Sequence, residues 1–134
     1  MNIKHFLFSA ICIGIANILI EWFFIGFLFH KYQALTPQTW RKETSKSYAL
    51  SSLLSILFGV FFTFFYFKIG SKYVLYGDLM SACKLGLVCF VCFAVIDQLN
   101  GAIYVNLARG FTAGKLLASF FTFLAAACIA SLFY

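Results

Sequence analysis

The stretch FLFSAICIGIANILIEWFFIGFLF, residues 6–29, decides the fold. It carries a single charged side chain, Glu21, and no proline. At about 1.5 Å of rise per residue, a helix of this length reaches across a hydrocarbon core of about 30 Å. Working outward, three more apolar runs follow: 48–67, 79–107 (densest between Leu85 and Ile96) and 113–134. Lipid offers no water to pair with peptide groups, so each run is predicted to be helical. Four runs without strand alternation cannot close a barrel. The expected fold is an all-α membrane protein in one integral membrane domain, residues 1–134, with four transmembrane helices in an antiparallel bundle.

Composition points the same way. Hydrophobic residues make up 63% of the chain and charged residues 10%, so a water-soluble fold would expose large apolar patches. Mean hydropathy is +0.96. The net charge of +6 sits mostly at the ends of the apolar runs. That placement fits lipid headgroups as the partner and gives no basic stripe for nucleic acid. Lys4 and the apolar run after it resemble a signal sequence. However, the run continues past Glu21 and Trp22 without a small-residue cleavage site, so a retained first span is expected.

The connections carry their own signals. Thr36-Pro37 reads as an N-cap and first helical residue, which predicts a short interfacial helix near 37–46 leading into span 2, with Trp40 at headgroup depth. Tyr73 and Tyr76 are expected as interfacial rings. Gly110 reads as a helix stop and Thr112 as a start. Lys31, Arg41, Lys42, Lys46, Arg109 and Lys115 flank loops 1 and 3; Lys4, Lys68, Lys72 and Lys84 lie on the other side. The excess places loops 1 and 3 in the cytoplasm and both termini outside.

Three features could carry chemistry or packing. Gly114, Ala118, Thr122, Ala126 and Ala130 recur every four residues, a face that lets another helix approach closely within the bundle or between subunits of a homo-oligomer. Ala10, Gly14, Asn17 and Glu21 form one stripe of span 1. Asp97, Asn100 and Tyr104 share a face of span 3, with Gln98 adjacent. Glu21 precedes Phe29 by eight residues and Asp97 precedes Leu107 by ten. Both carboxyls are therefore expected at similar depth, beyond easy reach of water.

Other chemistry finds no support. Five cysteines with no pairs in the loops do not form a disulfide framework. Cys89-x-x-Cys92 lies inside LVCFVCFAV, without the polar flanks of a redox or metal motif. His5 and His30 sit about 37 Å apart along one helix. No metal, cofactor or catalytic set is expected.

Gly14–Tyr32, GIANILIEWFFIGFLFHKY, resembles the first span of a small bacterial membrane family catalogued as domain-of-unknown-function family seventeen sixty-one. Trp22-Phe23, Phe29-His30-Lys31, Lys46-Ser47-Tyr48-Ala49 and the segment Arg109 to Lys115 extend the resemblance. It implies four spans in the inner (cytoplasmic) membrane of a bacterial cell and no assigned reaction. Glu21 departs from the family pattern, so its role is read from this chain alone.

The first functional reading is a small multi-pass membrane protein whose polar cluster joins helices, with Asn17, Asn100 and Gln98 bonding the carboxyls. The alternative is a proton- or cation-coupled small-molecule transporter using Glu21 and Asp97. An acid in span 1 is similar to the small multidrug-resistance exporters, whose later proline and glycine pattern is missing. A membrane enzyme of the four-helix eicosanoid and glutathione type would need polar residues in span 2 that SLLSILFGVFFTFFYF lacks.

Overall fold

The computed structural model describes residues 2–40 and 44–134. Four helices are long and apolar enough to cross a membrane: α1 (Ile3–Leu28), α2 (Ser45–Lys72), α3 (Leu79–Tyr104) and α4 (Arg109–Phe133). No strand occurs among the described residues.

Side-chain caps set three of the starts. The Asn2 side chain accepts from the Lys4 amide at 3.1 Å, Thr44 from Ser47 at 3.2 Å, and Asp78 from Ser81 at 3.2 Å. Such caps each contribute about 1 kcal/mol by pairing amides that no preceding turn can reach. Gly77, at φ 72°, makes the turn into α3 and donates its amide to the Ser131 carbonyl at 3.2 Å. The left-handed conformation there favours glycine.

Two helices change winding partway. α1 is α-helical to Glu21 and then π-helical over Trp22–Leu28. α3 is π-helical over Phe90–Val95 before returning to α over Ile96–Tyr104. Each wide turn resets which side chains share a face, so α-helical spacing cannot be carried across it.

The connections correct two expectations. Pro37 opens only a 3-10 turn, Pro37–Thr39, and Trp40 is extended. The helix expected near 37–46 is thus broken at Trp40, and its residues 41–43 lie outside the described ones. The start of α2 belongs to Thr44, whose hydroxyl offers the amide acceptor that a proline start lacks. Trp40 lies edge-on to Phe111 at 4.5 Å and donates to the Thr36 hydroxyl at 3.3 Å, inside the loop packing. Gly110 does not stop a helix, because α4 begins at Arg109. A Cβ at Gly110 would stand 2.5 Å from the Tyr32 ring, so this glycine makes room for a neighbour.

Small residues govern the helix contacts. A Cβ on Gly59 of α2 would fall against the Ala10 carbonyl and 2.8 Å from the Gly14 amide of α1. A Cβ on Gly86 of α3 would fall 2.8 Å from the Phe123 carbonyl of α4. Close backbone approach of this kind is how helices gain dispersion energy where lipid competes equally for apolar side chains. α1 packs against both α2 and α4, while α3 leans almost wholly on α4. The apolar core gathers at the end that holds both termini and the 69–78 connection: Phe62, Tyr66, Val74, Ala82, Ala127 and Ala130 are all buried there.

A polar groove as candidate functional site

The opposite end of the bundle, toward the 29–44 and 105–108 connections, is cut by three adjoining clefts. The central one, about 370 Å³, is walled by all four helices: Asn17 and Glu21 from α1, Ser51 and Ser55 from α2, Asp97 and Gln98 from α3, Ser119 and Thr122 from α4. A second, about 490 Å³, runs from Glu21 past Ser52 and Tyr48 to His30 and Gln33. A third, about 390 Å³, runs from Asp97 past Asn100 and Lys115 to Thr39 and Trp40. Glu21 is shared by the first two and Asp97 by the first and third, so the three form one groove with an acid at each junction.

Hydrogen bonds hold the floor of this groove. Asn17, buried on α1, donates from Nδ2 to the Ser55 hydroxyl of α2 at 3.1 Å. Its Oδ1 accepts from the Thr122 hydroxyl of α4 at 2.9 Å. One side chain thereby ties three helices together. Gln98 donates to the Ser119 hydroxyl and joins α3 to α4. Its Oε1 is buried without a partner, an acceptor left open at the groove wall. One level deeper, the Ser9 and Thr63 hydroxyls pair at 3.2 Å, both fully buried.

The two carboxyls stand apart from this network. Among the described residues, neither Glu21 nor Asp97 makes a hydrogen bond to Asn17, Gln98 or Asn100. Both are exposed at the groove wall. Glu21 lies within Coulombic reach of Lys115, which also lines the cleft beside Asp97. Each acid adjoins a π segment: Glu21 immediately precedes Trp22, and Asp97 follows Val95 by two residues. Wide turns of this kind are frequent at functional sites. The cleft beside Glu21 extends to His30 and Gln33 at the end of the bundle.

No family model, curated protein or solved structure matches the chain. The groove is therefore read from its own geometry.

Of the residues singled out from sequence, Asn17, Glu21, Asp97 and Gln98 meet at the central cleft. Asn100 lines only the cleft toward Trp40. Tyr104 joins none of the three and is 82% exposed, because the end of α3 stands clear of its neighbours. A Cβ on nearby Gly101 would meet nothing within 4 Å. Gly114, Ala118, Thr122, Ala126 and Ala130 are all buried within this one copy.

Sequence reasoning missed Lys115, treated there only as a topology charge, and the hydroxyl face of α2. Tyr48, Ser51, Ser52 and Ser55 recur at three- and four-residue spacing, which was the available signal. In groups of three or more, the described His, Cys, Asp and Glu residues do not come together as a metal site.

Proposed function

We propose that this chain is a multi-pass membrane protein, its helices packed antiparallel, whose acid-lined groove binds a proton or a cation in exchange during small-molecule transport. The observation that supports it best is the division of labour at the central cleft. Amides and hydroxyls bond helix to helix, while Glu21 and Asp97 face open space. When Glu21, Asp97 and Lys115 are all ionised, the site carries one net negative charge. Within a bilayer such a charge is costly, and either a proton or a cationic ligand removes it. Binding one disfavours the other, which is the coupling that exchange requires.

Contact pairs support the antiparallel arrangement. Phe6 meets Phe67 and Asn17 meets Ser55, so numbering falls along α2 as it rises along α1. The lysine and arginine excess supports a groove mouth at the cytoplasmic face, and the family resemblance supports a bacterial inner membrane. Membership of family seventeen sixty-one belongs to the same proposal; it supplies four spans and no reaction. The bilayer is the partner throughout. A second copy would dock away from the small face of α4, since that face is already covered.

The test is uptake of tetraphenylphosphonium by proteoliposomes under an imposed proton gradient. Glu21→Gln and Glu21→Leu should both abolish saturable uptake while leaving the melting temperature unchanged. If uptake is unaffected by Glu21→Gln while Glu21→Leu lowers the melting temperature, Glu21 is interhelical glue and the transport reading fails.

A further inference from the structure

The closed end of the bundle holds a thiol pair that the groove does not use. Cys83 of α3 and Cys128 of α4 approach to 3.5 Å between sulfurs, although 45 positions separate them in sequence. Both are half-buried, and Cys12, Cys89 and Cys92 are unpaired with them. Cys83 is one helical turn inside Leu79, about 6 Å along the axis from the start of α3. Cys128 is five residues before Phe133, about 7.5 Å from the end of α4. The two thiols therefore sit at matching depth just below the surface that holds the chain termini. In the topology proposed above that surface lies outside the cytoplasm, where disulfides persist.

The backbone at this point is already held in register. Gly86, one turn beyond Cys83, lies close against Phe123 and Leu124 of α4. Ser131 donates to the Cys128 carbonyl at 2.8 Å and its own carbonyl accepts from Gly77. Joining the sulfurs means closing their 3.5 Å separation to a bond of about 2.05 Å between two helices held together on both sides of the pair.

We propose that Cys83 and Cys128 are a modification site: they form a reversible disulfide that staples α3 to α4 at the closed end of the bundle. The co-reactant is a small organic or protein disulfide. Cys83 releases its proton and attacks one sulfur of that disulfide, expelling a thiolate that takes up a proton. Cys128 then releases its proton and attacks the Cys83 sulfur, expelling the second thiolate, which is protonated in turn. One S–S bond breaks and one forms; two cysteine thiols are oxidised and the two sulfurs of the co-reactant are reduced to thiols. The consequence follows from the packing. α3 leans almost wholly on α4, so the staple fixes the pivot of the helix that carries Asp97. The proposal stands independently of any transport reading.

The test uses the full chain in proteoliposomes, treated with 4,4′-dithiodipyridine as a membrane-permeant disulfide, then alkylated and mapped by mass spectrometry. The expected product is a Cys83–Cys128 cross-linked peptide, two hydrogens lighter than the reduced pair, with thiopyridone released and the cross-link reversed by a reducing phosphine. In Cys83→Ser, Cys128 should instead retain a thiopyridyl mixed disulfide, since no second thiol resolves it. A Cys89–Cys92 cross-link as the main product would overturn the proposal. So would mixed disulfides on both Cys83 and Cys128 in the unaltered chain, which would show that the sulfurs do not meet.

Discussion

The two ends of this bundle are built from the same four helices and solve opposite problems. At the closed end, rings interlock: Phe58 and Phe62 lie edge-on to Phe123 at 5.7 and 6.1 Å, and Tyr66 and Phe67 lie edge-on to Tyr134 at 6.3 and 5.3 Å. Tyr66 is fully buried there. At the open end the same helices carry serine, asparagine and carboxylate, and the winding switches to π. Of the polar residues of α1 and α3, Asn17 and Gln98 bond to neighbouring helices, while among the described residues Glu21 and Asp97 make no hydrogen bond to them. Where this chain needs close contact it uses glycine, alanine and aromatic rings. Where it places charge, it leaves space.

The largest effect that could break this comparison is steric. Gly59→Ala should cost about 1–3 kcal/mol, because its Cβ meets backbone of α1 that cannot give locally. Gly101→Ala, at the free end of α3, should be neutral or stabilising by up to about 1 kcal/mol. Reversible unfolding in mixed micelles compares the two, and equal costs would mean that the ends do not differ in packing.

Next in size is the floor of the groove. Asn17→Leu removes both the Ser55 and the Thr122 bond and should cost about 1–2 kcal/mol. By the same measurement Glu21→Gln should fall within about 0.5 kcal/mol of the parent, since no interhelical bond is lost. A Glu21 cost as large as that of Asn17 would return the carboxyl to the adhesive network.

The smallest effect belongs to the cap of α3. Bonds from the Ser81 side chain and backbone hold the Asp78 carboxyl below its usual 3.8. A carboxyl depressed on folding contributes stability above its unfolded value, and that contribution fades as pH falls through the lowered folded value. Fraying of the first turn of α3, followed by amide exchange at Ser81, should therefore set in only below about pH 4. Asp78→Asn should keep the cap and abolish the pH response.

Much of this was legible in the sequence. Four runs such as Phe6–Phe29 admit only helices in lipid, and the four-residue recurrence from Gly114 to Ala130 marked a packing face of α4, which the structure buries within one copy. Asn17, Glu21, Asp97 and Gln98 could be placed together because depth along a helix is simple arithmetic. What could not be read was winding and free space. The π turns at Trp22 and Phe90 break the spacing rule, and nothing local marks them. Tyr104 shares the α-helical face of Asp97, yet only tertiary packing reveals that no helix stands opposite it. Lys115 looked like a loop charge because the expected start of span 4, near Ala113, left it at the surface; the true start at Arg109 carries it a turn further in. Thr44 was overlooked because Pro37 offered a stronger start signal seven residues earlier.

The central claim is that one end of this bundle opens to solution along an acid-lined groove while the other is sealed. Cysteine placed at Ser51, on the groove wall, and at Thr63, fully buried between α1 and α2, tests it directly. Each is labelled in proteoliposomes with a charged, water-soluble methanethiosulfonate and read at its own peptide by mass spectrometry. Because the reactive species is a thiolate that needs water, Ser51→Cys should label faster than Thr63→Cys by about tenfold or more. Equal rates at the two positions would contradict the account.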